Sequence, residues 1–276
     1  MSEMTANGVE FSEPLEIANG LYWLGARDTV SGFHHNHYML MEEDQGIIIS
    51  AGHSVNILDV LEKFSIFIPV NRIIYAAFNG SVAQTGGAMA IMEEAVHTAG
   101  GKLMVVSHPR ASHKIAFYHE VKHESFYLVD QNGWNLTFNS GRTLRFINSN
   151  NLSYPGSFMT YDEKTGALFS GELFSGYPFG WSLYANGYYI AAMEAYHYDH
   201  MPFGQLINRS LDGLDGLDIR LIAPSHGSII DREIGQYVEA LRNIKKLPAI
   251  SRKAEPSFNK GANEGDSVSP HEGRLQ

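Results

Sequence analysis

Ile73-Ile74-Tyr75-Ala76-Ala77-Phe78 is an unbroken apolar run, and after a short polar connection a helical repeat begins, a pairing that restricts the chain to an α/β architecture. The run has the length and composition of a strand buried on both faces. Beyond it Ala88, Ile91, Met92, Ala95 and Val96 recur at helical spacing until Gly100-Gly101 stops the pattern. The connection, Asn79 to Gly86, follows the carboxyl end of the strand, where open α/β sheets gather ligands and catalytic groups. Its side chains come from Asn79, Ser81, Val82, Ala83, Gln84 and Thr85, so it contains no acid, base or thiol. A loop in the catalytic position that can offer only hydrogen bonds is the fact the remaining sequence has to accommodate.

The elements around it fall into two series. Gly20 to Leu24, His37 to Met41 and Ile47 to Ser50 read as a hairpin meander, with Glu42 to Gly46 as a turn. Val55 to Phe64 reads as a helix, and Leu103 to Val106 returns to the sheet. The second series has strands at Phe126 to Val129, Trp134 to Phe138, Thr143 to Ile147, Phe158 to Tyr161 and Ala167 to Ser170. Turn formers such as Gln131-Asn132-Gly133 and Ser140-Gly141 separate them. Helices at Asn186 to His197 and Phe203 to Leu214, a strand at Ile219 to Ile222 and a helix near Arg232 to Lys246 complete it. Two series that each run from strands into helices predict two mixed sheets stacked face to face with helices outside.

Composition narrows the functions. The chain has 276 residues, no cysteine and a formal net charge of -10. Disulfides, thiolate metal sites and cysteine nucleophiles are excluded, which agrees with a reducing, cytoplasmic setting. Net negative charge opposes attraction to nucleic acid or anionic lipid, so neither is an expected partner. Met1 to Pro14 has the pattern of neither a signal peptide nor an anchor. From Ser251 onward apolar residues almost vanish, and residues 251–276 read as a disordered tail or linker after a domain spanning residues 1–250.

Three segments carry a family resemblance. Leu152-Ser153-Tyr154-Pro155-Gly156-Ser157-Phe158, Leu168-Phe169-Ser170-Gly171-Glu172-Leu173-Phe174 and Ile222-Ala223-Pro224-Ser225-His226-Gly227 resemble the flavodiiron branch of the metallo-β-lactamase fold, from about Gly20 to Lys246. The resemblance implies an α/β (α+β) αββα sandwich. Members of that branch hold two irons and reduce or bind dioxygen or nitric oxide, and some relatives act as oxygen-responsive signalling modules. Anchored on Thr85-Gly86, the family motif His-x-Glu-x-Asp-His falls on Asn79, Ser81, Ala83 and Gln84, so all four ligands are replaced. The next family histidine falls on Ser153. The bridging aspartate falls on Glu172, and the last histidine is kept as His226.

Two divalent irons need carboxylates and neutral imidazoles to offset lost hydration, and Asn, Ser and Gln donate weakly. Glu172 and His226 alone do not make a two-metal clamp. Two readings follow: a vestigial pocket in which they satisfy each other, or a rebuilt site holding one iron with help from His34, His35 and His37. If that segment is extended, His34 and His35 point to opposite sides. His197 and His200 could share a helix face, and the resemblance implies core or supporting packing for this segment. His108, His113, His119 and His123 have no ligand-like spacing. Ser225 beside His226 lacks a nucleophile elbow, and no phosphate-cradling glycine pattern occurs.

These readings converge on a sensory or regulatory module in signal transduction whose standard dinuclear site is lost, the alternative being an iron sensor or metalloenzyme with a rebuilt site. Ordinary diiron or dizinc catalysis and FMN are not expected. The resemblance adds a homodimer, and an output domain or protein would be the signalling partner.

Overall fold

The computed structural model describes residues 13–27, 34–50, 55–79, 82–115, 125–201 and 204–244. Ser81, His119, His123 and the tail proposed at residues 251–276 lie outside the described residues.

The chain opens with β1 (Leu15–Ala18), β2 (Leu21–Trp23), β3 (Ala26–Arg27), β4 (His34–His35), β5 (Tyr38–Glu42) and β6 (Gln45–Ile49). It continues through α1 (Ile57–Ser65), β7 (Ile73–Ala77), α2 (Val82–Thr98), β8 (Met104–Ser107), α3 (Pro109–Ile115) and β9 (Phe126–Leu128). One sheet takes the order β1-β2-β5-β6-β7-β8-β9, and among the described residues β3 and β4 form a two-stranded sheet. The second series gives β10 (Asn135–Thr137), β11 (Thr143–Asn148), β12 (Phe158–Asp162), β13 (Ala167–Gly171), α4 (Tyr189–His200), α5 (Gly204–Asp212), β14 (Leu221–Pro224) and α6 (Ile234–Arg242). Its strands form a sheet in the order β10 to β14.

Side-chain alternation explains the layering. Tyr38, Leu40, Ile47 and Ile49 face the other sheet and meet Phe146, Phe158, Phe169 and Ala223. Met39 and Ile48, one position out of phase, lie under Phe64 of α1 and Met89 and Met92 of α2. In the second sheet Met159, Leu168 and Ile222 face away from the interior and pack on Tyr196 of α4, Ile207 of α5 and Tyr237 of α6. A strand with both faces covered must be apolar throughout, which is why Ile47 to Ile49 has no polar break. The result is the expected αββα sandwich.

Three local expectations need correction. The polar connection after β7 is shorter than the sequence suggests, because α2 starts at Val82 and holds Gly86 and Gly87 within it. Glycine is a poor helix former, so the recognisable repeat begins only at Ala88. β9, grouped by sequence with the second series, pairs in parallel with β8 and belongs to the first sheet. Short α3 escaped notice because Pro109-Arg110-Ala111-Ser112-His113 has no apolar stripe.

Candidate functional site

Parallel pairing of β13 with β14 aligns Gly171 with Pro224, so the two strands release Glu172 and His226 side by side. The Ser225 N–H donates to Gly171 O at 2.8 Å, tying these two ends together. The segment between β4 and β5 is fixed to the same place by Asn36. Its N–H donates to Ser225 O at 2.8 Å, and its side-chain amide donates to Pro224 O at 3.0 Å and Gly227 O at 2.9 Å. Trp23 Nε1 donates to Asn36 Oδ1 at 2.8 Å, so the buried side chain has its acceptor occupied too. Gly227 has φ +82°, and a Cβ there would lie 2.5 Å from the Tyr189 hydroxyl, so the turn after His226 requires glycine.

His226 and Glu172 are both buried, with Nε2 and Oε1 3.8 Å apart, an ion-pair distance longer than a hydrogen bond. His226 Nδ1 lies 3.1 Å from His34 O; a carbonyl can only accept, so Nδ1 holds the proton of this bond. Tyr196 donates its hydroxyl to Glu172 Oε2, while Oε1 is buried with no hydrogen-bond partner. Burial pushes the Glu172 carboxyl up, but His226, the Tyr196 hydroxyl and His200 outweigh it and bring it down to about 2. Burial, then the Glu172 charge, pushes the phenols of Tyr196 and Tyr154 up. Tyr154 donates to Phe78 O at 3.2 Å.

The other candidate positions divide. Asn79 is buried, and its side-chain nitrogen donates to Phe169 O at 2.9 Å and lies 3.2 Å from Thr160 Oγ1. The Thr160 hydroxyl donates back to Asn79 Oδ1 at 3.2 Å. Asn79 O presses so close on Gly171, at φ +63°, that a Cβ there would be 2.3 Å away. Ala83 and Gln84 belong to the first turn of α2, and Ser153 is exposed. His35 turns its ring edge-on to His226 with centroids 5.0 Å apart. His34 instead stacks on Trp181 at 4.4 Å, as extended β4 requires of its neighbour. His37 is fully buried, with Nδ1 donating to Ser50 O at 2.7 Å.

His197 is a core residue. Nδ1 donates to Met193 O at 2.7 Å and Nε2 accepts the Phe174 N–H at 3.2 Å, which fixes a neutral ring. Burial lowers its pKa to about 4. His200 stacks on Tyr196 at 4.1 Å. Asn36, Tyr154 and Tyr196 were not singled out by sequence reasoning. Only the density of tyrosines along α4 hinted at the last.

Two irons do not fit these residues. The amide of Asn79 is spent on Thr160 and Phe169, and among the described residues no group of three or more His, Asp or Glu side chains could hold a metal ion. What remains is a carboxylate with one oxygen outside any hydrogen bond, at ion-pair distance from His226 and beside the Tyr196 phenol. That arrangement can bind a donor or a cation.

Comparison with known proteins gives a consistent lineage. The chain is 26% identical over 252 residues to an uncharacterized protein of Methanocaldococcus jannaschii, covering 82% of this chain and 59% of that protein. It is 25% identical over 249 residues to the nitric oxide reductase of Moorella thermoacetica, covering 83% of this chain and 60% of the relative. The chain therefore spans about three-fifths of these curated relatives. Among solved structures, the apo chemotaxis sensor ODP from T. denticola superposes with a TM-score of 0.71 at 19% identity, covering 84% of this chain and 93% of the sensor. The flavodiiron protein from Giardia intestinalis superposes with a TM-score of 0.69 at 18% identity, covering 83% of this chain and 58% of that protein. These structures share the flavodiiron type of metallo-β-lactamase-like fold. The family model described as ODP family beta lactamase matches residues 33–227, from β4 to the turn that holds His226, and the chain belongs to that family.

Proposed function

We propose that this chain is a sensory or regulatory module in which the dinuclear centre of the flavodiiron lineage has been replaced by a hydrogen-bonded polar pocket. The observation that carries the reading is Asn79. At the position of the first family ligand it is locked into the fold by Thr160 and Phe169 O rather than turned to a metal. Likeness to a chemotaxis sensor over 93% of that sensor's length supports a signalling role. In this reading the chain acts as a homodimer in the cytoplasm, passes its state to an output domain or protein, and neither binds FMN nor turns over dioxygen or nitric oxide.

A second reading, one iron held by Glu172 and His226 with a histidine of the 34–37 segment, has one observation in its favour. Oε1 of Glu172 has no hydrogen-bond partner and lies at ion-pair distance, 3.8 Å, from His226 Nε2.

Metal analysis separates these readings. Protein purified without added metal, then loaded anaerobically with iron, should contain far less than one iron per chain and show no oxygen or nitric oxide consumption with a flavin donor. One iron per chain, lost in His226→Ala, would establish the second reading. Two irons per chain, or a turnover abolished by His226→Ala, would overturn both.

A further inference from the structure

A cavity of about 380 Å³ opens where the turn before β11 and the turn after β12 meet the last residue of β5. It lies at the opposite end of β5 from Tyr38, whose hydroxyl donates to Pro224 O beside His226, so it is separate from the candidate site. Its size falls within the range of small-molecule sites, about 300–1,000 Å³. Ser140, Arg142 and Thr143 line it from the first turn, Glu163 and Lys164 from the second, and Glu42 from β5.

The lining offers charges of both signs whose bonding capacity is not used up. A guanidinium has five N–H groups, and the buried Arg142 spends four of them, on Asp162 through Nε and Nη2 and on Met41 O and Glu42 through Nη1. One N–H on Nη2 remains. An ammonium has three, and among the described residues the half-exposed Lys164 directs one to Glu42 at 3.4 Å, leaving two. Glu163 lies 3.6 Å from Arg145 Nε, beyond hydrogen-bond reach, with both side chains half-exposed. A surface pair of that kind contributes about 0–1 kcal/mol, so the Glu163 carboxylate can exchange it for a better donor. These charges also select among ligands. An anion here would meet Glu42 and Glu163 as well as the net charge of -10, and a cation would meet Arg142 and Lys164. A molecule carrying both charges pairs each of them, and charge-assisted hydrogen bonds then form at both ends.

We infer that this cavity binds a small zwitterion, an amino carboxylate whose carboxylate accepts the remaining N–H groups of Lys164 and Arg142 and whose ammonium donates to Glu163. The inference goes beyond the proposed function, adding a second ligand site at the far end of the sandwich that does not depend on Glu172 or His226.

Calorimetric titration of the full chain with glycine, γ-aminobutyrate and 6-aminohexanoate, which differ in the separation of their charges, tests it. The tightest of the three should bind at one per chain. Butyrate and butylammonium, each with one of the two charges, should bind at least about tenfold more weakly. Lys164→Met and Glu163→Gln should each weaken that zwitterion at least about tenfold. Both side chains are half-exposed, so both variants should fold, which circular dichroism and the urea midpoint check. If Lys164→Met nevertheless unfolds, Glu163→Gln alone decides. Absence of binding by all three zwitterions at millimolar concentration would overturn the inference, as would unchanged binding in a folded Lys164→Met or Glu163→Gln. Butyrate binding as tightly as the best zwitterion would overturn it in favour of an anion site, and butylammonium doing so would overturn it in favour of a cation site. Each of these failures leaves the sensor reading in place, because that reading stands on residues at the other end of β5. Loading with two irons would remove the sensor reading and leave this inference standing.

Discussion

His197 is held as a neutral imidazole from both sides, since Nδ1–H donates to Met193 O and Nε2 accepts from Phe174 N–H. Protonation would put a second hydrogen against the Phe174 N–H inside the core. Burial therefore lowers the group from 6.5 to about 4, and the sign of the consequence is fixed. Above pH 6.5 the ring is neutral in both folded and unfolded chains and has no pH effect. Between 6.5 and 4 the unfolded chain takes up a proton that the folded chain refuses, so stability falls with pH, and below 4 this loss is complete. Glu172 acts lower down: its contribution is full above 4.5 and disappears as pH falls toward 2. Urea unfolding at pH 7 and pH 5 should show a drop on the order of 1–2 kcal/mol from His197. In His197→Gln that pH 7 to pH 5 difference should largely vanish, and an unchanged difference would show that another group titrates there.

At the scale of elements, the order of strands and helices was legible because burial on both faces writes continuous apolar runs, as in Ile47 to Ile49 and Ile73 to Ala77. Residue type at the motif positions, Asn79 and Ala83 among them, carried the expectation that the family ligands are replaced, which stands as part of the proposed function. Side-chain direction was legible only in the opposite facing of His34 and His35 along an extended segment, not in what each ring meets. The histidines of residues 34–37 are close in sequence, but one stacks on Trp181, one meets His226 edge-on and one bonds Ser50 O, according to contacts from distant segments. Asn36, the residue that organises this stretch, looked like an ordinary loop asparagine, since its partners Pro224 and Gly227 lie almost two hundred residues away. Asn36→Ala would remove three buried hydrogen bonds, from the Asn36 amide to Pro224 O and Gly227 O and from Trp23 Nε1 to Asn36 Oδ1, while Pro224 O keeps the Tyr38 hydroxyl and Gly227 O keeps Trp181 Nε1. Each lost hydrogen bond costs about 0.5–1.5 kcal/mol, so a loss of about 1.5–4.5 kcal/mol is expected in chemical denaturation. A loss below about 1 kcal/mol would mean that the segment is held in place by its other contacts.

On the scale of the whole molecule, the two sheets are joined at both ends, and the two ends differ in kind. The site end is closed by backbone and amide hydrogen bonds from Asn36 to the residues around His226. At the other end of β5, Arg142 is buried between the sheets. It forms two bonds to Asp162, at 2.9 and 2.7 Å, and reaches Glu42 and Met41 O, each at 3.0 Å. Lys164 approaches Glu42 at 3.4 Å from the exposed side. Burial would raise the Glu42 carboxyl, but Ser140, Arg142 and Lys164 lower it, so its contribution is lost only as pH falls below the ordinary carboxylate range. A buried charge pair offsets its own desolvation only while every member is present. Arg142→Met alone should therefore destabilise the chain by about 3–5 kcal/mol, because Asp162 would remain buried without a cation and Glu42 would keep only Lys164. Neutralising those partners as well, in Arg142→Met with Asp162→Asn and Glu42→Gln, removes the stranded charges, while the new amide at position 162 can still accept the Thr165 N–H that Asp162 bonds at 3.2 Å. The triple variant should regain more than half of the single variant's loss, and because the cluster is shielded from solvent, added salt should barely change the difference. If the triple variant is instead less stable than Arg142→Met, the cluster contributes net stability through its hydrogen bonds, and the junction between the sheets depends on those bonds rather than on balanced charge.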